Sequence, residues 1–224
     1  MEQDNLPVVS ESIDSNNHAD QHDDFVSPCQ IDFKSALSEV ILSIPKEELQ
    51  HMQRVGYSTR RLIASVVREP RYRSLSEPYN SFGYCAFYHD IGKAWIPSQI
   101  LLKKENLTES EFEIIKRHPL YAQKYIGSHL GFFRGGFFLR QMVYNVAVFH
   151  HERWDGGGYP YGLQKEGIPL IARITSVCDV YDAITNERPY RKARSHGEAC
   201  DELRKWAGRQ FDPEIVEIFL SQNT

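Results

Sequence analysis

From Asp32 to the C-terminus, apolar residues recur every three or four positions, and no stretch alternates apolar with polar residues as a half-buried strand must. Phe33, Leu37, Val40 and Ile41 share one helical face, and Ile44-Pro45 ends that segment. Pro45 then opens a second helix with Glu47 and Glu48 in its first turn, and Leu49, Met52, Val55, Leu62, Ile63 and Val66 carry it towards Arg68. Residues 69–80 read as a loop, and Phe82 to Asp90 as a short apolar helix closing at Gly92. Thr108 with Glu111 is a capping box, and the spacing predicts one helix from there through Phe112, Ile115, His118 and Tyr125. Further helices are expected over Phe138–His151, Ile171–Ile184, 196–207 and 213–221, with a Gly- and Pro-rich loop over 155–170. The fold class expected is an all-α bundle.

The 224 residues are enough for a sizeable core, and no run approaches the roughly 18–20 apolar residues of a membrane span. Residues 1–30, rich in Asp, Asn, Ser and Gln, read as a disordered acidic tail, leaving 31–224 as the folded domain. The N-terminus has neither a basic start nor an apolar run, so no secretory signal is expected. Cys29, Cys85, Cys178 and Cys200 form no C-x-x-C pair, which fits reduced thiols in a cytoplasmic protein. Residues 1–33 hold eight acids and no Lys or Arg, so the remainder carries 26 basic against 22 acidic residues. That mild excess suits a small anionic substrate and is too weak for bulk nucleic-acid binding.

The chemistry lies in scattered histidines and carboxylates. Glu47 and His51 are one helical turn apart and share a face. His89-Asp90 are adjacent, His118 lies on a helix, and His150-His151 stand at a helix end. Asp179 interrupts the apolar helix ITSVCDVYDAI, where a carboxylate is costly unless paired or bound to a cation. These eight donors, without a thiolate, suit iron or manganese, with zinc also compatible. Two metals joined by one carboxylate are equipped for phosphoester hydrolysis. Lys93 shares a face with His89 and Asp90, where it can meet a phosphate oxygen. Each residue also has a plainer reading: a satisfied core histidine, a first-turn carboxylate, a surface lysine.

The most specific segment is HHERWDGGGYP at 150–160. Its eight fixed positions, each met by chance about once in twenty, coincide on the order of 10⁻¹⁰ per start position. With His51-Met-Gln-Arg54, His89-Asp90-Ile-Gly92-Lys93, His118-Pro119, Asp179-Val-Tyr-Asp182 and Arg188-Pro189-Tyr190-Arg191, this loop closely resembles the HD-GYP family of cyclic-dinucleotide phosphodiesterases, within the wider HD phosphohydrolase group. The likeness covers about residues 46–220.

The resemblance implies an HD-type helical bundle with a GYP loop. It implies metal ligands at His51, His89, Asp90, His118, His150, His151 and Asp179, with Asp90 bridging and Glu47 as a further ligand where three metals are held. It implies two or three divalent ions, iron or manganese. The implied reaction opens cyclic di-GMP to pGpG, and in some members continues to GMP, by attack of a hydroxide held between two metals. Asp90 and Lys93 serve the reaction, while Lys93, Tyr159, Arg188 and Arg191 contact the nucleotide. The other readings are a different HD hydrolase acting on cyclic GMP–AMP or another nucleotide, and a low-turnover cyclic-dinucleotide receptor. The sequence departs from the family at Tyr88, at Ala122 and in the segments 69–80 and 127–140. Phe132, Phe133, Phe137 and Phe138 in the second segment, or the GYP loop, offer a surface for a protein partner. With about 45 residues before the catalytic part, no sensor domain is expected.

Overall fold

The computed structural model describes residues 37–75, Tyr79, 83–129, 136–187 and 192–222. All lie in the unit Asp32–Thr224. The expected tail over 1–30, together with Arg188, Arg191, Phe132 and Phe133, lies outside the described residues.

Pro45 divides the first two helices as expected: α1 spans Leu37–Ser43 and α2 spans Lys46–Val66, with Pro45 at its N-cap. Helices α3 (Ser98–Leu101), α4 (Glu109–Ile115), α5 (His118–Ser128), α6 (Gly136–Phe149), α7 (Leu170–Thr185), α8 (His196–Trp206) and α9 (Pro213–Ser221) follow. Among the described residues the only bridge pairing is Ala207 with Phe211, and no strand forms. The bundle is therefore all-α, as the apolar spacing requires.

Two elements differ from expectation. The segment expected to close at Gly92 runs on as a 3₁₀ helix over Gly83–Trp95. Gly92 is required there by packing rather than by termination, because a Cβ would collide with the His118 carbonyl. This helix packs against α2, α5 and α6 at the centre of the bundle. The helix expected to run from Thr108 past His118 is instead two. The Thr108–Glu111 box caps α4, and α5 begins at His118 with Pro119 in its first turn. Proline has no N–H for the carbonyl four residues back. That carbonyl, Ile115 O, accepts from His118 Nδ1 at 2.8 Å instead. The helix break thereby orients a site residue.

The core is continuous around these elements. Met52, Val55, Leu62 and Ile63 from α2 meet Ile91, Tyr121, Tyr125, Val143, Val146, Ile171 and Ile174, all essentially inaccessible. Each such side chain contributes about 1.5–3 kcal/mol on burial. The same interior holds His51, His89, Asp90, His118 and His150, which are also buried. No described helix is long and apolar enough to cross a membrane.

Candidate metal centre

Buried histidines need partners for both ring nitrogens, and these acquire them in one consistent way. Nδ1 of His89 bonds to Ala86 O at 3.0 Å, of His118 to Ile115 O, and of His150 to Val146 O at 2.9 Å. A carbonyl only accepts, so in each ring Nδ1 carries the proton and Nε2 of the neutral imidazole is a lone pair. His51 Nδ1 donates instead to Asp182 Oδ2 at 2.7 Å. Arg54 grips the same carboxylate through Nε at 2.7 Å and Nη2 at 3.0 Å.

The Nε2 atoms then converge. His51 and His89 Nε2 are 3.3 Å apart, and those of His118 and His150 are 3.4 Å apart. His51 Nε2 is 3.0 Å from Asp179 Oδ1, and His89 Nε2 is 3.1 Å from Asp90 Oδ2. On its other side, Asp90 Oδ1 faces His118 Nε2 at 3.2 Å and His150 Nε2 at 3.7 Å. Asp90 Oδ1 is buried and makes no hydrogen bond. Lone pairs and carboxylate oxygens at such spacing repel one another unless a cation lies among them.

Two sets of donors result, each with its ligand atoms within 4.8 Å of one another: Asp90, His118, His150 and His151, and His51, His89 and Asp179. The structure thus brings together seven of the eight donors read from the sequence. Glu47 is exposed and lies outside both sets, on the rim of an adjoining cavity with Glu48 and Lys93.

The electrostatics favour the ligating forms. Burial opposes ionisation of Asp90, but the Lys93 ammonium beside it holds its carboxyl well below the usual carboxylate range. Burial pushes His151 well below its ordinary value, keeping the ring neutral. Burial lowers His118 too, against the pull of Asp90. Thiols take no part: burial pushes Cys85 and Cys178 up to about 12.

Lys93 Nζ lies 2.8 Å from Asp90 Oδ2 and 2.7 Å from Glu48 Oε2. The GYP loop forms the remaining wall. Glu152, buried, accepts from the backbone N–H of Tyr161 at 2.7 Å and of Leu163 at 2.9 Å. Gly158 lies against the backbone of Glu152 and Arg153, where a Cβ has no room. The folded loop stacks Tyr159 on His151, centroids 4.7 Å apart and rings at 24°.

Sequence reasoning gave no role to Glu48, Arg54, Glu152 or Asp182. Asp182 had a visible signal: it is a second carboxylate one turn after Asp179 in an apolar helix. Phe137 and Phe138 from the 127–140 segment are exposed, and Phe138 touches Tyr79 edge-on.

The profile of the HD domain family matches residues 39–215. The chain belongs to the HD domain family. It is 34% identical over 207 residues to the cyclic di-GMP phosphodiesterase PA4108 of Pseudomonas aeruginosa, covering 91% of this chain and 46% of that one. It is 37% identical over 132 residues to a 3'3'-cGAMP-specific phosphodiesterase 2 of Vibrio cholerae, covering 59% and 24%. The chain therefore spans under half the length of these curated relatives. In fold it is similar to Bd1817, an HDG"Y"P protein from Bdellovibrio bacteriovorus, with a TM-score of 0.55 at 15% identity, covering 77% of this chain and 52% of that one. These findings bear out the resemblance carried by the His-Asp pair and the GYP loop, and the convergent His/Asp donors of this HD domain are suited to divalent metal ions.

Proposed function

We propose that the chain is a metal-dependent phosphodiesterase that opens cyclic di-GMP to pGpG. The observation that carries this reading is the Asp90 carboxylate, whose two oxygens face different donor sets: Oδ1 towards His118 and His150, Oδ2 towards His89 and His51. A carboxylate shared in that way is suited to hold two ions side by side. His118, His150 and His151 would hold one, and His51, His89 and Asp179 the other, with Asp90 common to both. The nitrogen and oxygen donor set favours iron or manganese. Such ions, when bound, polarise phosphoryl oxygens and lower the pKa of water.

The chain's own residues supply the rest. Nδ1 bonds fix the imidazoles of His51, His89, His118 and His150 before any ion arrives, so little is lost in ordering these ligands. Lys93, 2.8 Å from Asp90 Oδ2, would meet a non-bridging phosphate oxygen there and offset charge developing on it. Tyr159 offers the wall next to His151, and Arg188 and Arg191 offer planar forks for phosphate or guanine. No hydroxyl or thiol of the chain is needed as nucleophile.

A second substrate, 3'3'-cGAMP, is favoured by the relative that carries that name. Anaerobically purified protein with iron(II) or manganese(II), given each cyclic dinucleotide in turn and resolved by chromatography, tests both. Conversion of cyclic di-GMP to pGpG, or onward to GMP, is the expected result. Conversion of 3'3'-cGAMP alone moves the assignment to that substrate. Stoichiometric retention of intact ligand with the metal sites filled shows a receptor instead.

A further inference from the structure

Besides Lys93, a second lysine approaches the seven donors, through the Tyr159 ring that stacks on His151. Lys116 closes α4, two residues before His118. Its Nζ is 5.5 Å from the centre of the Tyr159 ring and 6.0 Å from that of Phe112. Tyr159 stacks in turn on His151. The amine therefore caps a column of rings that ends on a donor of the metal centre. Phe112 also borders a cavity of about 360 Å³ whose wall carries Lys93, Glu47 and Glu48. Lys93 lies on that wall, and Lys116 lies next to Phe112 on its border.

Lys116 is held loosely. Its ion pair with Glu113, at 2.8 Å, joins side chains that are 31% and 57% exposed. Such surface pairs contribute little and exchange readily. The aromatic faces of Tyr159 and Phe112 attract the ammonium without consuming its donors. Lys93, by contrast, is only 13% exposed and lies between two carboxylates.

A cyclic dinucleotide has two phosphodiesters, and only one reacts at a time. The other keeps its full charge, and a cation outside the metal centre can bind it in addition to the Arg188 and Arg191 forks proposed above. The cavity wall beside Lys93 is balanced in charge, Glu47 and Glu48 against Lys93 and Lys104, and Lys93 is already engaged by Glu48 and Asp90. We propose that Lys116, seated on the Tyr159 face, binds this second, non-reacting phosphate. The assignment rests on the cyclic-dinucleotide phosphodiesterase reading above.

The test uses the full metal-loaded chain, with Lys116→Ala and Lys116→Arg. Substrates are cyclic di-GMP and bis(p-nitrophenyl) phosphate, which has one phosphodiester and no second phosphate. For Lys116→Ala, KM for cyclic di-GMP is expected to rise about tenfold with kcat changed less than about twofold, as for loss of uniform binding. Both constants for the small diester stay at the wild-type level, and Lys116→Arg restores the KM for cyclic di-GMP. Calorimetric binding of cyclic di-GMP, which needs no turnover, is expected to weaken by about the same factor. Unchanged KM and affinity for cyclic di-GMP in Lys116→Ala overturn the assignment, as does an equal loss on both substrates. Wild-type protein that cleaves no cyclic dinucleotide defeats the phosphodiesterase reading instead. Calorimetry then still decides on Lys116: a tenfold gap between wild type and Lys116→Ala upholds it, and equal affinity or no binding overturns it.

Discussion

Asp182→Asn isolates the one imidazole whose orientation depends on a charged partner. Asp182 Oδ2 accepts from His51 Nδ1 at 2.7 Å, while Oδ1 accepts from Arg54 Nε at 2.7 Å and from Asn186 Nδ2 at 3.0 Å. Burial disfavours the charge of Asp182, but His51 and Arg54 hold its carboxyl below the usual range, so it is ionised. An asparagine cannot serve all these donors. With its oxygen towards His51, its NH₂ meets the donors of Arg54 and Asn186. With its NH₂ towards His51, the imidazole proton must move to Nε2, removing the lone pair that faces Asp179. Loss of one charge-assisted hydrogen bond costs about 1.5–3 kcal/mol. At about 1.4 kcal/mol per tenfold, that is roughly 10–100-fold in metal affinity, the range found when the outer partner of a ligating histidine is removed. Manganese(II) titration of metal-stripped protein, followed by calorimetry and electron paramagnetic resonance, reads this directly. One class of site should weaken by that factor while the set of His118, His150 and His151 changes less than about threefold. Two unchanged classes, or two equally weakened ones with a lower Tm, would refute the reasoning.

Four further outcomes follow from the same geometry. Asp90→Ala removes the oxygens that face both donor sets, so bound metal should fall in both and turnover should vanish; full metal content with a near-normal rate contradicts the two-ion reading. Folded His118 and His151 have lowered pKa values, so the unfolded chain binds more protons below its own value of about 6.5. Stability of the metal-stripped protein should therefore fall as pH drops from about 7.5 to about 5.5, and a Tm that is flat or rising in scanning calorimetry would be the contrary result. Glu152→Ala leaves the Tyr161 and Leu163 amides without their acceptor, at about 1–3 kcal/mol per group, so limited proteolysis should cut the 152–163 loop faster than in wild type. Glu47→Gln should keep the metal stoichiometry of wild type by elemental analysis, since Glu47 lies outside both donor sets; a fall of about one ion per chain would make Glu47 a ligand of a third.

The apolar spacing reveals helices where a long face is buried, as in α2 and α7, and where the stop is local, as at Pro45 or the Thr108–Glu111 box. It fails where the decisive contact is distant. Gly92 looks like a terminator in the sequence, but its role comes from the His118 backbone, which no local pattern contains. A 3₁₀ run over Gly83–Trp95 is invisible for a related reason: with seven of its residues buried, it shows no clear face from which to tell a period of 3.0 from 3.6. The break before His118 was legible, since Pro119 cannot continue a helix without freeing the Ile115 carbonyl.

The centre divides along the same line. Residue type and motif point to eight candidate donors, Glu47 among them, and the structure draws seven of these together. For His51, His89, His118 and His150 the division into two sets depends on where Nε2 points, and that is decided by the partner of Nδ1. Three of those partners are carbonyls three or four residues earlier, Ala86, Ile115 and Val146, so these orientations are consequences of local helix geometry. The fourth, Asp182, comes from a helix 131 residues along the chain and brings a negative charge that a carbonyl lacks. A carboxylate partner makes His51 a stronger donor than its neighbours. The two sets therefore differ in basicity as well as in membership: one has three histidines around Asp90, the other two histidines, Asp179 and the charge of Asp182 behind His51. Two ions of the same element would consequently be held with unequal strength. Stepwise loading is the direct consequence, and removing the Asp182 charge should weaken the His51 set alone.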